Sequence, residues 1–203
     1  MHAAFTLRAG ETLRFGERFA GARACLAVTG GFDVPPIFGS RATSLISRMG
    51  PFGGRALKAG DVLPIGSSAR LARKRSDEHG AVAVSLPAGG ARLRVLPGPQ
   101  EQFFTSRAYE TLFDSRYVIT PASNRMGYRL DGPRLEHAGS ADILSDATPI
   151  GSLQVPASGQ PILLMADRQT TGGYPKVGVV ISADQPLAGP LAPGDWTELA
   201  PCT

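Results

Sequence analysis

Residues 161–184, PILLMADRQTTGGYPKVGVVISAD, contain two apolar runs, ILLM at 162–165 and VGVVI at 177–181. Each is too short for a stable helix and is bounded by turn residues, which is the pattern of a buried strand. Between them lie Arg168, Gln169, Thr170, Thr171, Gly172, Gly173, Tyr174, Pro175 and Lys176. A connection that only reverses the chain can be two residues long. One that carries two cations, an amide, two hydroxyls and a phenol around a Gly-Gly hinge reads as a functional loop on a hairpin. The competing reading is structural: solvated polar residues, glycines supplying positive φ and Pro175 setting a turn.

The rest of the chain points the same way. Its 25 glycines and 17 prolines exceed a fifth of the 203 residues, and neither residue suits a helix interior, so many short strands and turns follow. With 42% hydrophobic and 19% charged residues, the balance is that of an ordinary globular protein able to bury a core. We expect a mainly β chain. Strands are expected at 24–29, where the run ends at Gly30-Gly31 and reads as buried, and at 91–96 and 117–121. Turns are expected at 39–41 and 97–100. The best helix candidate is 101–113, where Phe103, Phe104, Ala108, Leu112 and Phe113 can share one face. The composition shifts to Ser, Arg, Lys, Asp, Glu and Gly after residue 67. This suggests a β-rich N-terminal region at 1–75, a linker at 76–90 and a second β region at 91–203.

Several chemistries lack their sequence signatures. The net charge of +4 and pI near 9.4 come chiefly from arginine. The one basic cluster, RLARKR at 70–75, has no interleaved aromatics, so it reads as a solvated linker and not as a nucleic-acid surface. Cys25 and Cys202 make no disulfide framework. The first twenty residues are charged throughout and no run of eighteen apolar residues occurs, so a cytoplasmic protein without a membrane partner is expected. Neither a phosphate loop nor a dinucleotide fingerprint is present. His2, His79 and His137 have no ligand spacing, and nothing suggests a nucleophilic triad.

Two further groups of polar residues have two readings each. Asp33, Ser40 and Arg41 either contact substrate from a loop or belong to a crossing loop in which Asp33 caps a turn. Asn124 and Arg125, at a turn before Gly127, either offer an amide and a cationic fork to a carboxylate or carbonyl, or are a turn residue and a surface ion pair.

The segment DRQTTGGYPK at 167–176, followed by a Val-rich strand and SAD, resembles the biotin-dependent carboxyltransferase family, also called allophanate hydrolase subunit 2 or the KipA family. Further matching blocks follow in the family's order: TGGFDVPPIFGSRAT at 29–43, GRALKAGDVLPIG at 54–66, RVLPGPQ at 94–100, SNRMGYRLDGP at 123–133 and LQVPASGQPI at 153–162. Where the family usually reads Ser-Glu-Gly, this chain has Ser145-Asp146-Ala147, an acid shorter by one methylene. The segment resembling 8–16 lies well inside the polypeptide in the family. An N-terminal block of the family is therefore expected to be absent or supplied by another polypeptide.

The resemblance implies a cyclophilin-like β-barrel from about Ala91 onward. It implies a component of an ATP-dependent 5-oxoprolinase, working with the A and B subunits of that enzyme or their equivalents and inactive alone, in which ATP activates the lactam carbonyl and water opens the ring. ATP would be bound by a partner subunit. The alternative is a biotin-dependent carboxyltransferase of the urea carboxylase type, with biotin on another chain or domain. A third implied reading is a non-catalytic partner of a kinase-inhibitor protein. The groups suited to this chemistry are Lys176, Arg168 and Gln169 as catalytic residues, with Asn124, Arg125, Gln154, Thr170, Thr171, Tyr174, Asp33 and Ser40 in substrate binding.

Overall fold

The computed structural model describes residues 4–67 and 87–202. Of these, 24–67 form one compact unit and 4–23 together with 87–202 form another. The basic cluster at 70–75 and most of the expected linker lie outside the described residues.

The larger unit is a β-barrel. Its elements are β1 (Gly90–Pro97), α1 (Ser106–Asp114), β2 (Arg116–Ile119), β3 (Gly127–Asp131), β4 (Asp146–Ala147), β5 (Ser152–Gln154), β6 (Ile162–Leu164), β7 (Thr171–Gly172), β8 (Lys176–Val180), α2 (Gln185–Ala188) and β9 (Trp196–Pro201). The closed barrel runs β1-β8-β5-β6-β3-β2-β9, and β4 and β7 form a separate two-stranded ribbon. β9 closes the seam, pairing parallel with β1 and antiparallel with β2. The expected barrel in the C-terminal part is thus present.

Alternation builds its core. In β1 the side chains of Leu93 and Val95 point inward while Arg92 and Arg94 face solvent, and β2 and β3 alternate in the same way. These inward residues pack with Tyr117, Ile119, Tyr128, Leu130, Leu153, Leu163, Val177 and Leu199 into one cluster. The helix forms where expected, but split. Glu101–Phe103 is a single 3₁₀ turn, and Thr105 then caps α1 by accepting a hydrogen bond from the Ala108 N–H at 3.2 Å. A threonine in this position satisfies one of the free N–H groups of the first turn. Phe104, Ala108 and Leu112 are buried against the barrel, with Phe103 and Phe113 at its margin.

Two expectations fail. The runs at 162–165 and 177–181 do not form a hairpin, because β5 lies between them and pairs antiparallel with both. β6 and β8 therefore run parallel, and parallel strands need a crossover of about a dozen residues. Residues 165–175 are that crossover, and they carry β7. The second failure is the run at 24–29, which is irregular and mostly exposed. Among the described residues of its unit it has no strand to pair with. The bridges there join Phe32 to Ile65, Ile37 to Ser40 and Ser44 to Met49, and the turn expected at 39–41 sits one residue earlier, at Phe38-Gly39.

Candidate functional site

β8 begins at Lys176, and a β-bulge prepares its surroundings. Between β5 and β8 the register steps from Leu153 opposite Gly178 to Gln154 opposite Lys176, so β8 spends one extra residue, Val177, at that point. Bulges re-aim side chains, and this one sets Gln154 and Lys176 side by side. Both are buried, with relative exposures of 1% and 2%. A lysine is rarely buried so fully unless it is paired.

Its partner is Asp146 on β4. Lys176 Nζ donates to Asp146 Oδ2 at 2.7 Å, and the carboxylate side chain is 47% exposed. Gln100, three residues beyond β1, joins the pair twice. Its Oε1 accepts the Lys176 main-chain N–H at 3.2 Å and its Nε2 donates to Asp146 Oδ2 at 3.0 Å. The hydrogen bond from Lys176 is the chief reason that the Asp146 carboxyl titrates below the usual carboxylate range. The Ala147 N–H and the Gln100 amide add to it. The ammonium has three donors, and Asp146 takes one.

The crossover supplies a second amide. Gln169 Nε2 donates to Gln154 Oε1 at 3.1 Å, and Gln154 Nε2 donates to the Tyr174 carbonyl at 3.4 Å. Gly172 is a glycine for want of space: a Cβ there would lie 2.6 Å from Gln154 Nε2 and 3.3 Å from Gln169 Nε2. Thr148, just after β4, fastens the crossover. Its N–H donates to the Thr170 carbonyl at 3.0 Å, its hydroxyl donates to the Gln169 carbonyl, and its own carbonyl accepts Arg168 Nε at 2.6 Å. Arg168 is thereby tethered to main chain, and among the described residues no carboxylate lies within ion-pair distance of it.

The remaining sequence candidates divide. Arg125 pairs with Asp167 at 2.9 Å and accepts the Asp167 N–H on its carbonyl, which places it beside the start of the crossover with its charge already compensated. The Asn124 side chain accepts the Met126 N–H at 2.8 Å, an ordinary turn contact. Thr170 and Thr171 are exposed, and so is Tyr174. Asp33 and Ser40 belong to the other unit. There Asp33 pairs loosely with Arg41 at 3.6 Å and Ser40 Oγ accepts the Ala42 N–H. Lys176, Gln169, Gln154 and Arg168 are therefore one constellation in the barrel wall and its crossover.

Sequence reasoning missed Gln100 and Thr148. Gln100 stood at the end of the block RVLPGPQ and Thr148 two residues after Asp146, yet nothing local marks either as a partner of residues 154–176. Among the described residues no three His, Cys, Asp or Glu side chains group as metal ligands, and no helix is long and apolar enough to cross a membrane. The arrangement can present a cation and amide donors to a ligand oxygen.

Residues 1–201 match a family model described as carboxyltransferase domain, subdomain A and B. The chain is 41% identical over 191 residues to the C subunit of 5-oxoprolinase from Escherichia coli, covering 91% of this chain and 60% of that protein. It is 38% identical over 180 residues to the C subunit of 5-oxoprolinase from Haemophilus influenzae, covering 89% of this chain and 56% of that protein. The chain thus spans somewhat over half the length of these relatives. Among solved structures, urea carboxylase of Kluyveromyces lactis superposes with a TM-score of 0.68 at 26% identity, over 87% of this chain and 17% of that one.

Proposed function

The chain belongs to the carboxyltransferase domain, subdomain A and B family, and from that premise we propose that it is one component of a multi-subunit, ATP-dependent 5-oxoprolinase. Identity of 41% to the C subunit of the Escherichia coli 5-oxoprolinase across 91% of the chain is the observation that carries this reading. The substrate is a cyclic amide, and the reaction opens its C–N bond to give glutamate.

The constellation around Lys176 suits such chemistry. Opening a lactam places negative charge on the carbonyl oxygen, and fixed donors in a water-poor site stabilise that charge most effectively. Lys176 retains two donor protons beside Asp146, and Gln154 and Gln169 hold their amides in place by bonding to one another. Arg168, without a carboxylate partner among the described residues, is the group suited to a substrate carboxylate. ATP is assigned to a partner subunit, because the sequence lacks a phosphate-binding loop. Partner subunits are therefore required, and the chain alone is inactive in this reading.

The likeness to urea carboxylase supports a second reading, biotin-dependent carboxyl transfer. Here biotin would arrive on another chain or domain and supply the carboxyl group. The chemistry of the donor set fits, because Lys176 and the Gln154 and Gln169 amides are suited to holding a ureido oxygen and a carboxylate.

The test is ATP-dependent ring opening of 5-oxoproline by the chain together with its partner subunits. Turnover that requires this chain supports the first reading. Absence of turnover, with carboxyl transfer from a biotinylated carrier in its place, replaces it with the second.

A further inference from the structure

Gln100 lies outside the crossover, yet it bonds the main-chain end of the candidate catalytic lysine directly and its ammonium end through Asp146. The Lys176 N–H reaches Gln100 Oε1, the Gln100 amide reaches Asp146 Oδ2, and Lys176 Nζ reaches that same oxygen. Three contacts among three residues close a ring. We propose that Gln100 is a positioning residue for Lys176 that acts through Asp146, tying the two-stranded ribbon to the barrel so that the ammonium keeps one orientation. The inference rests on the reading that Lys176 works in the site.

The physical case begins with where each member sits. Asp146 belongs to a strand of two residues, Asp146–Ala147, on a ribbon outside the barrel, and its side chain is half exposed. The lysine side chain is enclosed while the carboxylate stands half in solvent, so the member of the pair that needs to be held in one geometry is Asp146. Gln100, by contrast, is anchored. The turn that carries it leaves β1 at Pro97, Gly98 donates its N–H to the Val177 carbonyl at 3.1 Å, and a Cβ on Gly98 would lie 1.9 Å from the Lys176 carbonyl oxygen. The turn is pressed directly onto the first residues of β8. One planar amide with a donor and an acceptor passes that rigidity on to the ribbon. The consequence falls on Lys176, whose two remaining donors hold a fixed direction only while Asp146 is itself fixed.

The isolated 203-residue chain supplies the test. It has three lysines, Lys58, Lys74 and Lys176, and Lys58 is exposed. Acetylation by an amine-acylating reagent, mapped by mass spectrometry, reads Lys176 against Lys58 within one sample. With Gln100→Ala the Lys176 rate rises about five-fold, the factor that corresponds to one net hydrogen bond. Gln100→Met, which keeps the shape and removes both amide contacts without adding a charge, raises it at least as much. It also serves as the deciding variant if Gln100→Ala loses cooperative unfolding. In an Asp146→Asn background Gln100→Ala adds nothing, because the group it acts through is gone. A purely structural role would raise labelling equally in both backgrounds, and that result overturns the proposal. So does an unchanged rate in both Gln100 variants. None of these readouts involves turnover, so failure here is distinct from failure of the functional reading, which absence of ring opening by the assembled subunits would bring about.

Discussion

Gly98 approaches Lys176 so closely that a Cβ on the glycine would lie 1.9 Å from the lysine carbonyl oxygen. The obstacle is backbone on a barrel strand and cannot rotate away, so the turn must move. Gly98→Ala is expected to destabilise the chain by about 3 kcal/mol, as overpacking against a fixed neighbour does, visible as a lower urea midpoint. Gly172→Ala meets side chains and not backbone, the amide tip of Gln154 at 2.6 Å and Gln169 Nε2 and Thr148 Cγ2 at 3.3 Å. It should cost little stability yet misplace the Gln154–Gln169 amide pair, lowering turnover of the assembled enzyme with a nearly unchanged melting temperature.

Replacing Lys176 separates charge from packing. Its stem fills the barrel wall, so Lys176→Ala leaves a void. Lys176→Met keeps most of the volume, and buried charge can be exchanged for apolar bulk at little cost. Lys176→Met is expected to fold with a melting temperature at or above that of the parent while abolishing turnover of the reconstituted enzyme. Full turnover would remove Lys176 from the site.

Tyr117 is fully buried, and among the described residues its hydroxyl has no hydrogen-bond partner. Burial pushes its phenol up to about 12. The folded chain therefore holds this proton more tightly than the unfolded chain, and the associated stability, present below about pH 10, is lost as pH rises towards 12. Tyr117→Phe removes an unpaired polar atom and should stabilise by about 1 kcal/mol at neutral pH. Urea midpoints measured across pH 9–12 should fall less steeply than those of the parent.

At the acid end the sign reverses. Asp184, almost fully enclosed, takes two guanidinium contacts from Arg94 at 2.7 and 3.0 Å and the Arg94 N–H at 2.7 Å. The side-chain contact with Arg94 is the largest cause of its lowered pKa. The unfolded chain takes up this proton first, near the ordinary aspartate value of about 3.9. The stability it confers is complete above that value and is lost as pH falls through the lower folded value. Asp184→Asn should weaken the chain at neutral pH and flatten the fall in urea midpoint below about pH 4.

What could be read in advance followed from local rules. The strand at 91–96 and the apolar face of the helix at 101–113 are written within a few residues of themselves and both appear, while the break of that helix at its Thr105 cap was not anticipated. The hairpin at 161–184 was misread because periodicity reports burial and says nothing about which strand lies alongside. That β5 separates β6 from β8 is set by pairing across the barrel. The run at 24–29 has the composition of a buried strand, but the described residues of its unit offer it no partner. Lys176, Gln154 and Gln169 were legible through their chemistry. Gln100 and Thr148 were not, since each acts on residues dozens of positions away and belongs to a type that is ordinary in a turn.

The seam between β1 and β9 has a consequence for synthesis. Among the described residues β1 finds its neighbours in β8 and β9, at residues 176–180 and 196–201. While a ribosome is still translating the middle of the chain, both edges of that first strand are open, and open edges recruit other chains. A nascent polypeptide stalled before residue 176 would carry an apolar, unpaired strand, so chaperone engagement should be greatest for arrest in that interval and should decline once residue 201 has cleared the exit tunnel.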